Sequence, residues 1–302
     1  MKKIGLVYFC LMMLACRAIA QKGSENTALP PNPNLDSLRK YETMLKSFSD
    51  TMLDSKQQLN RIIATVNFIP TFVQALKFPG SFDYPFDSLV FMHKLEPEDK
   101  SFRLYNWILK YNDGSCRYYA AIQWNTGSDS LKLTALRDYS AKMDTNIETA
   151  VLDKDHWYGA LYYDVFMMKA HKKTYYFLLG WRSETPISNS KEIEVMTIED
   201  GKPVFGAPVF VDQDKKTKDR ITFQFRKEAT MLLNYIPEQK LITLDHLVPP
   251  NPQAEGRFFT YEPDGTYDYF SWKHGKWVLQ DKELFEGVKK PIKEAGTGNR
   301  NQ

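Results

Sequence analysis

The chain has 302 residues, of which 43% are hydrophobic and 14% are aromatic, so it can bury a large core and lacks the composition of a disordered protein. Its 40 basic and 37 acidic residues give a formal net charge of only +3. Nucleic-acid binding normally depends on a strongly basic surface that neutralises phosphates, and this near balance of charge excludes such a partner.

The N-terminus has the three-part layout of a secretory signal peptide. Two lysines supply positive charge, residues 4–14 form an apolar run, and small residues precede Gln21. The run has about a dozen residues, whereas a membrane-spanning helix needs roughly 20. We therefore predict that residues 1–20 are a signal peptide, cleaved between Ala20 and Gln21.

Cys16 supports a second interpretation of the same region. Residues 13–16 read Met-Leu-Ala-Cys and are similar to a lipoprotein box, in which the cysteine is lipidated and retained. The protein would then contact a membrane through a lipid on Cys16. Both interpretations predict an exported protein, located in the periplasm or associated with the outer membrane.

Removal of the signal peptide changes the charge and the cysteine count. It takes away Lys2, Lys3 and Arg17 but no acid, which leaves 37 basic against 37 acidic residues. It also leaves Cys116 alone, so no internal disulfide can form. The fold must therefore depend on its hydrophobic core, in which we expect Cys116 to be a buried structural thiol rather than a nucleophile.

After a flexible linker predicted over residues 21–35, a helical pattern occupies residues 36–80. Its apolar residues alternate in steps of three and four, with one miss at Ser55, and Asp36 is a suitable N-cap. We predict a helix, or two shorter ones, that begins at Asp36 and ends before Pro70, at about residue 67.

The same helical pattern allows two roles. The plain interpretation is that the helix packs on the domain that follows it. The step pattern also suits a coiled-coil seam, which would make the protein an oligomer through residues 36–66.

From residue 81 onward, short runs of aromatic and β-branched residues alternate with turn signals such as Asn-Asp-Gly at 112–114. No helix-length pattern interrupts them, so parallel crossovers are not expected. We predict a mainly β domain over 81–285, a long antiparallel meander arranged as a barrel, a sandwich or a propeller-like array. A disordered tail is predicted over 286–302. The predicted strands lie near residues 88–94, 101–111, 115–125, 130–137, 158–169, 174–182, 191–199, 202–211, 220–227, 230–236, 240–247, 257–261, 266–273 and 276–280.

Several short motifs occur in a fixed order between about residues 80 and 282. In this order the chain resembles a family of uncharacterised exported proteins from Bacteroidota. The resemblance implies a Gram-negative envelope setting, and it implies no activity and no catalytic residues. The motifs lie at residues 84–89, 102–107, 156–163, 178–181, 203–210, 245–247 and 263–268.

No motif for nucleotide, zinc or serine-nucleophile chemistry occurs in the chain. The five histidines are dispersed, without the spacing of metal ligands. We therefore predict no cofactor and no metal site.

Asp264 and Asp268 are the weak candidates for catalysis. They lie around the Pro-Asp-Gly sequence at 263–265, close to Tyr267 and Trp272, and two carboxylates near aromatic rings are typical of calcium or sugar-cleaving sites. An aspartate at a turn is equally explained by its hydrogen bonds to the backbone, and this simpler role is favoured.

A second candidate ligand site is the run Asp155, His156, Trp157 and Tyr158, together with Tyr267 and Trp272. Aromatic rings can stack on sugars, although strands also use such rings for their core and for cross-strand pairs. The neighbours Asp245 and His246 suggest a catalytic pair, but adjacent side chains of a strand point to opposite faces, so we expect a turn role.

The sequence leaves three functions open. The first is a non-enzymatic envelope module that binds a protein or a glycan. The second is a hydrolase that acts on a glycan or another envelope polymer through dispersed carboxylates. The third is a subunit of an envelope assembly that oligomerises through the N-terminal helix.

Overall fold

The computed structural model describes residues 33–143 and 146–280, and these residues form two helices and fifteen strands. The predicted signal peptide with Cys16, its cleavage site, most of the linker and the 286–302 tail lie outside the described residues. The elements are α1 (Pro33–Asp54), α2 (Gln58–Leu76), β1 (His93–Leu95), β2 (Phe102–Lys110), β3 (Cys116–Trp124), β4 (Lys132–Arg137), β5 (Leu161–Ala170), β6 (Lys173–Thr185), β7 (Ser188–Glu199), β8 (Lys202–Phe205), β9 (Phe210–Val211), β10 (Thr217–Lys218), β11 (Ile221–Arg226), β12 (Leu233–Ile236), β13 (Leu241–Val248), β14 (Glu262–Lys273) and β15 (Lys276–Gln280).

The strands form three sheets, and the prediction of a mainly β fold preceded by helices is confirmed. The first sheet has the order β1-β2-β3-β4. The central sheet has the order β11-β7-β6-β5, with β8 also paired to β7, and the outer sheet has the order β10-β9-β15-β14-β13-β12. Within the described residues none of these sheets closes into a barrel.

The alternation of side chains along the strands produces three separate cores. In β6, Tyr176 and Leu178 pack against the first sheet, whereas Phe177 and Leu179 pack against the outer sheet. A third core joins the helices to the other face of the first sheet, through residues such as Trp107. The order of layers is therefore helices, first sheet, central sheet and outer sheet.

One strand pair departs from the predicted antiparallel meander. β9 runs parallel to β15, with Phe210 opposite Trp277. The predicted strand 202–211 is also divided, because the chain leaves the central sheet after Phe205 and enters the outer sheet at Phe210. Gly206 makes this crossing possible: its φ is +98°, and a Cβ there would lie 2.6 Å from the Ala150 carbonyl oxygen.

The helical region forms two shorter helices, one of the two predicted alternatives, but its limits differ from the predicted ones. The helical backbone is interrupted between Asp54 and Gln58. This interruption includes Ser55, the residue that breaks the apolar pattern. The helix does not begin at Asp36 and does not end before Pro70, because α1 begins at Pro33 and α2 continues to Leu76.

Packing explains why α2 continues through its proline. Phe68 and Phe72, on either side of Pro70, are both buried, and they contact each other and Trp107 of the first sheet. The lost backbone hydrogen bond at Pro70 costs less than exposing these two rings would.

Two strand predictions also fail. Residues 257–261 contain a 3-10 helix, Phe258–Thr260, and not a strand. The strand predicted near 88–94 shrinks to β1, which begins only at His93, because turns occupy the preceding residues. In both places the aromatic or apolar residues pack against their neighbours from turns or a 3-10 helix, and the backbone is not extended.

Burial of the central sheet on both faces places charged side chains in the interior. Glu192 and Glu194 of β7 are completely buried, and so is Arg220, whose Nε lies 2.8 Å from Glu194 Oε2. Both carboxyl oxygens of Glu192 lack a hydrogen-bond partner among the described residues. Burial raises the pKa of Glu192 to about 8, so this side chain is protonated at neutral pH.

We expect Glu192→Gln to flatten the dependence of stability on pH. The unfolded chain ionises Glu192 near 4.5 and the folded chain only near 8, so the wild-type protein loses stability as pH rises between these values. Gln cannot ionise, so the variant should gain stability over the wild type as pH increases from about 5 to 8. Chemical denaturation across this range measures the difference. Glu199→Gln, at the exposed end of β7, is the control, and parallel curves for Glu192→Gln and wild type would contradict the assignment.

We also expect Phe68→Ala to destabilise the protein by about 3–5 kcal/mol, because it removes a fully buried ring from the core between helices and sheet. Gln74→Ala, at an exposed position of α2, should change stability by less than about 0.5 kcal/mol. Denaturant unfolding measures both values. Equal, small effects would show that α2 does not pack on the first sheet.

Candidate functional site

A cleft of about 470 Å³ opens between the edge of the central sheet at β11 and the outer sheet, and we call it the His246 cleft. Strands β11, β13, β14 and β15 contribute to it, together with the segment around the 3-10 helix Phe258–Thr260. Its lining residues are Glu148, Gln213, Lys218, Thr222, Phe223, Gln224, Leu244, Asp245, His246, Leu247, Phe258, Tyr261, Asp268 and Leu279.

A histidine–aspartate pair lies in this cleft. His246 Nδ1 and Asp268 Oδ2 are 2.6 Å apart, and both side chains are mostly buried. A carboxylate only accepts hydrogen bonds, so the proton of the neutral imidazole lies on Nδ1 and Nε2 is left as an acceptor. No described residue hydrogen-bonds to Nε2. The pair therefore holds the ring in one orientation and leaves one nitrogen for another molecule.

An irregularity between β13 and β14 creates this geometry. Asp245 is opposite Tyr267 and Leu247 is opposite Pro263, so residues 264–266 face the single residue His246. The predicted Pro-Asp-Gly turn is therefore a bulge inside β14 and not a connection between two strands. Bulges redirect side chains and are frequent beside functional sites.

Two aspartates have different roles around the bulge. Asp264 Oδ1 accepts hydrogen bonds from the backbone N and the hydroxyl of Thr266, at 2.8 and 2.6 Å, which holds the bulge in shape. Asp245 Oδ2 accepts a hydrogen bond from the Leu232 backbone N at 2.8 Å. Burial raises the pKa of Asp245, and the charge of Asp264 adds to this effect.

Aromatic rings form one rim of the cleft. The Phe258 side chain is 55% exposed, and its ring centroid lies 5.1 Å from that of Tyr261. The Arg226 backbone N donates to the Tyr261 carbonyl oxygen, which attaches this segment to β11. Phe259 is also exposed but does not line the cleft.

Charged and polar side chains form the opposite side. Lys218 Nζ lies 2.8 Å from Glu148 Oε2, and the other oxygen of Glu148 accepts from the Thr222 backbone N and hydroxyl. Gln224 donates to the Ser188 hydroxyl at 2.9 Å. Glu148 and Lys218 pair with each other, so this side of the cleft presents hydrogen-bonding groups rather than a strong field of one sign.

The candidate run at 155–158 does not form one platform. Asp155 is exposed and pairs with Lys154, whereas Trp157 is completely buried and its Nε1 donates to the Tyr162 hydroxyl. Tyr158 stacks under the Arg182 guanidinium, 3.8 Å from the ring centroid.

His156 lines a separate cavity of about 530 Å³. Its Nδ1 lies 2.8 Å from Asp153 Oδ1, an oxygen that also accepts from two backbone N–H groups of the same turn. This arrangement is a local turn at the surface.

The remaining candidates are divided among different places. Of the two candidate catalytic carboxylates, Asp268 lies in the His246 cleft, while Asp264 stabilises the bulge. Tyr267 is opposite Asp245 in the neighbouring strand, and Trp272 lines another cavity beside β5. Cys116 is partly buried, and burial raises its pKa, which disfavours a thiolate.

Sequence reasoning assigned Asp245 and His246 a turn role, which is wrong because both lie inside β13, and it missed Phe258 and the cleft. Asp245 and His246 do not bond to each other, as expected for neighbours in a strand, but His246 bonds to Asp268, which is 22 positions away. The available signal was the Pro-Asp-Gly sequence in the partner strand, because a bulge there changes which residues face each other.

Among residues 33–143 and 146–280, no group of three or more histidine, cysteine or acidic side chains could hold a metal ion. None of the helices in that part of the chain is both long enough and apolar enough to cross a bilayer. Comparisons of the chain with protein-family models, with curated proteins and with solved structures found no match.

Proposed function

We propose that this protein is an exported, envelope-associated binding module without enzymatic activity, and that it holds a glycan in the His246 cleft. One observation carries the proposal: an exposed aromatic rim and a set of oriented hydrogen-bonding groups lie in the same 470 Å³ cleft. That volume suits a small ligand such as one or two sugar rings.

The chemistry of the cleft fits a neutral sugar. A sugar ring has an apolar face, which stacks on aromatic rings, and hydroxyl groups at its edge, which both donate and accept hydrogen bonds. Phe258 and Tyr261 offer the first surface. The Nε2 of His246 accepts, Gln224 has both kinds of group, and Asp268 fixes the orientation of the imidazole.

We expect binding of a neutral oligosaccharide to depend on Phe258 and His246. A glycan array, followed by calorimetry on the best ligand, should show roughly tenfold weaker binding for Phe258→Ala, because the stacking surface is lost. His246→Ala should weaken binding comparably. Phe259→Ala is the matched control, since it removes an exposed ring of the same segment that does not line the cleft, and it should change affinity by less than about twofold.

Two results would contradict this proposal. Binding that is equally strong in Phe258→Ala and wild type would place the ligand elsewhere. Cleavage of the bound oligosaccharide by the wild type, lost in His246→Ala, would favour the hydrolase. The oriented imidazole is the specific observation behind that second candidate, because His246 could take a proton from water through Nε2.

A face of α2 supports the assembly role as a further candidate. Leu59, Ile63 and Val66 lie on one side of the helix and are 65%, 50% and 62% exposed. The one charged residue of α2, Arg61, donates to the Lys110 and Ser55 carbonyl oxygens and to the Asn112 side chain. The exposed stripe is therefore apolar and uncharged, as an interface between protein chains would be.

If α2 mediates assembly, sedimentation of the full mature protein should show a dimer or larger species that becomes a monomer in Ile63→Lys. Gln239→Lys adds the same charge at an exposed position of the β12–β13 turn, in the layer farthest from the helices, and should leave the assembly intact. A wild-type protein that sediments as a monomer at tens of micromolar would reject this candidate.

A further inference from the structure

A cavity of about 860 Å³ lies along the edge of the central sheet, and we call it the β5 groove. Six consecutive residues of β5, from Asp164 to Lys169, line it. Glu98 and Asp99, from the loop between β1 and β2, border it on the side of the first sheet. Tyr235 and Trp272 border it on the side of the outer sheet. The groove therefore follows a strand edge between two flanking sheets.

β5 is an edge strand, since it pairs with β6 and with no other strand of its sheet. Apart from this partner strand and the Asp164 carboxylate, which accepts from the Val165 backbone N, no described residue hydrogen-bonds to the backbone of residues 164–169. The β5–β6 hairpin has a two-residue loop, His171 and Lys172, both with positive φ, so Ala170 and Lys173 form its closing hydrogen-bonded pair. From this pair onward, the backbone groups of β5 alternate between bonding to β6 and pointing away from it. Met167 and Lys169 therefore present N–H and C=O groups to the groove, and Val165 presents its C=O group.

At the N-terminal end of β5 the outward backbone groups are hydrogen-bonded. Tyr162 lies before the register shift in β5, and its backbone N donates to Asn106 Oδ1 at 2.7 Å. His93 Nδ1 lies 2.7 Å from the Tyr162 carbonyl oxygen. Side chains of the first sheet thus satisfy the edge at Tyr162, whereas the edge beyond Asp164 is left open beside a cavity.

An exposed strand edge of this kind is a template for pairing with another chain. Proteins usually protect such edges with charged residues or cover them, and strand addition is a recurring way of recognising an extended peptide. Here the edge carries a lysine at one end, Lys169, and is enclosed by two walls. These walls hinder the pairing of two whole sheets and admit a single extended segment.

The side chains of the groove indicate the chemistry of that segment. Tyr235 stacks on Phe166 with ring centroids 3.7 Å apart, and together with Trp272 it offers an apolar wall. Asp164 is partly buried, and its carboxylate accepts from the Val165 backbone N but pairs with no side chain of the described residues. Three acids, Glu98, Asp99 and Asp164, line the groove against two lysines, Lys169 and Lys240, so a basic side chain beside Asp164 is favoured.

We infer that the β5 groove binds an extended peptide segment of a partner protein as an added strand, with apolar side chains against Tyr235 and Trp272 and a basic side chain at Asp164. The N–H and C=O groups of Met167 and Lys169, with the C=O group of Val165, provide the pairing. This site is distinct from the His246 cleft, and its occupant is a polypeptide rather than a sugar.

The experiment uses the full mature protein as the target and selects binders from a displayed library of eight-residue peptides. We expect enrichment of sequences with alternating apolar residues and one lysine or arginine. Met167→Pro removes an N–H group that points away from β6, at an edge position where proline is tolerated. It should lower the affinity for the selected peptide by at least roughly tenfold. Met167→Ala keeps the N–H and should bind within about threefold of wild type. Phe258→Ala should bind the peptide normally, which separates this site from the proposed glycan site.

Two measurements on the wild-type protein remain decisive if Met167→Pro does not fold. Amide hydrogen exchange should show new protection at Met167 and Lys169 when the peptide binds, with little change at Phe166 and Met168. Methylation of single backbone nitrogens of the peptide should abolish binding at every second position and leave binding unchanged at the positions between them. A library without enriched peptides, a selected peptide that binds Met167→Pro as well as wild type, or uniform sensitivity to methylation would each overturn the inference.

Discussion

The burial of the central sheet on both faces is the constraint on which the rest of the fold depends. Strands β6 and β7 contribute one set of side chains to the core shared with the first sheet and the other set to the core shared with the outer sheet. Such strands expose little surface to solvent, so even their charged residues are enclosed, as Arg182, Glu192 and Glu194 are. Buried ion pairs of this kind add little to the free energy of unfolding, because the cost of removing the charges from water offsets their mutual attraction. The two proposed binding sites both lie at edges of this sheet.

Both proposed binding sites follow from this constraint. The His246 cleft opens where the outer sheet meets the edge strand β11, and the β5 groove follows the opposite edge strand. At β11 the edge is partly covered, since the Arg226 backbone donates to Tyr261, and the cleft is formed by side chains. At β5 the edge is open beyond Asp164, and the backbone itself is available. The same sheet therefore offers side-chain recognition at one edge and main-chain recognition at the other.

The class of fold could be predicted from the sequence because it depends on local patterns. Alternating aromatic and β-branched runs with Gly-containing turns predict antiparallel strands, and β2, β3 and β15 lie close to their predicted limits. Long-range events were not predictable in this way. The parallel pairing of β9 with β15 depends on where the chain crosses between sheets at Gly206, and the continuation of α2 through Pro70 depends on rings packed against Trp107. His246 and Asp268 meet only because a bulge shifts the register between two strands.

The aromatic residues show how far composition alone can mislead about function. Trp157 was a candidate for stacking on a ligand, yet it is completely buried, and most of the rings lie in one of the three cores. A core ring is explained by the area that it buries, so it needs no functional role. Phe258 is different, because more than half of its surface is exposed while the residues around it are held in place by backbone hydrogen bonds. Burial in a core does not account for this ring, and contact with a ligand in the adjoining cleft is the role that we propose for it.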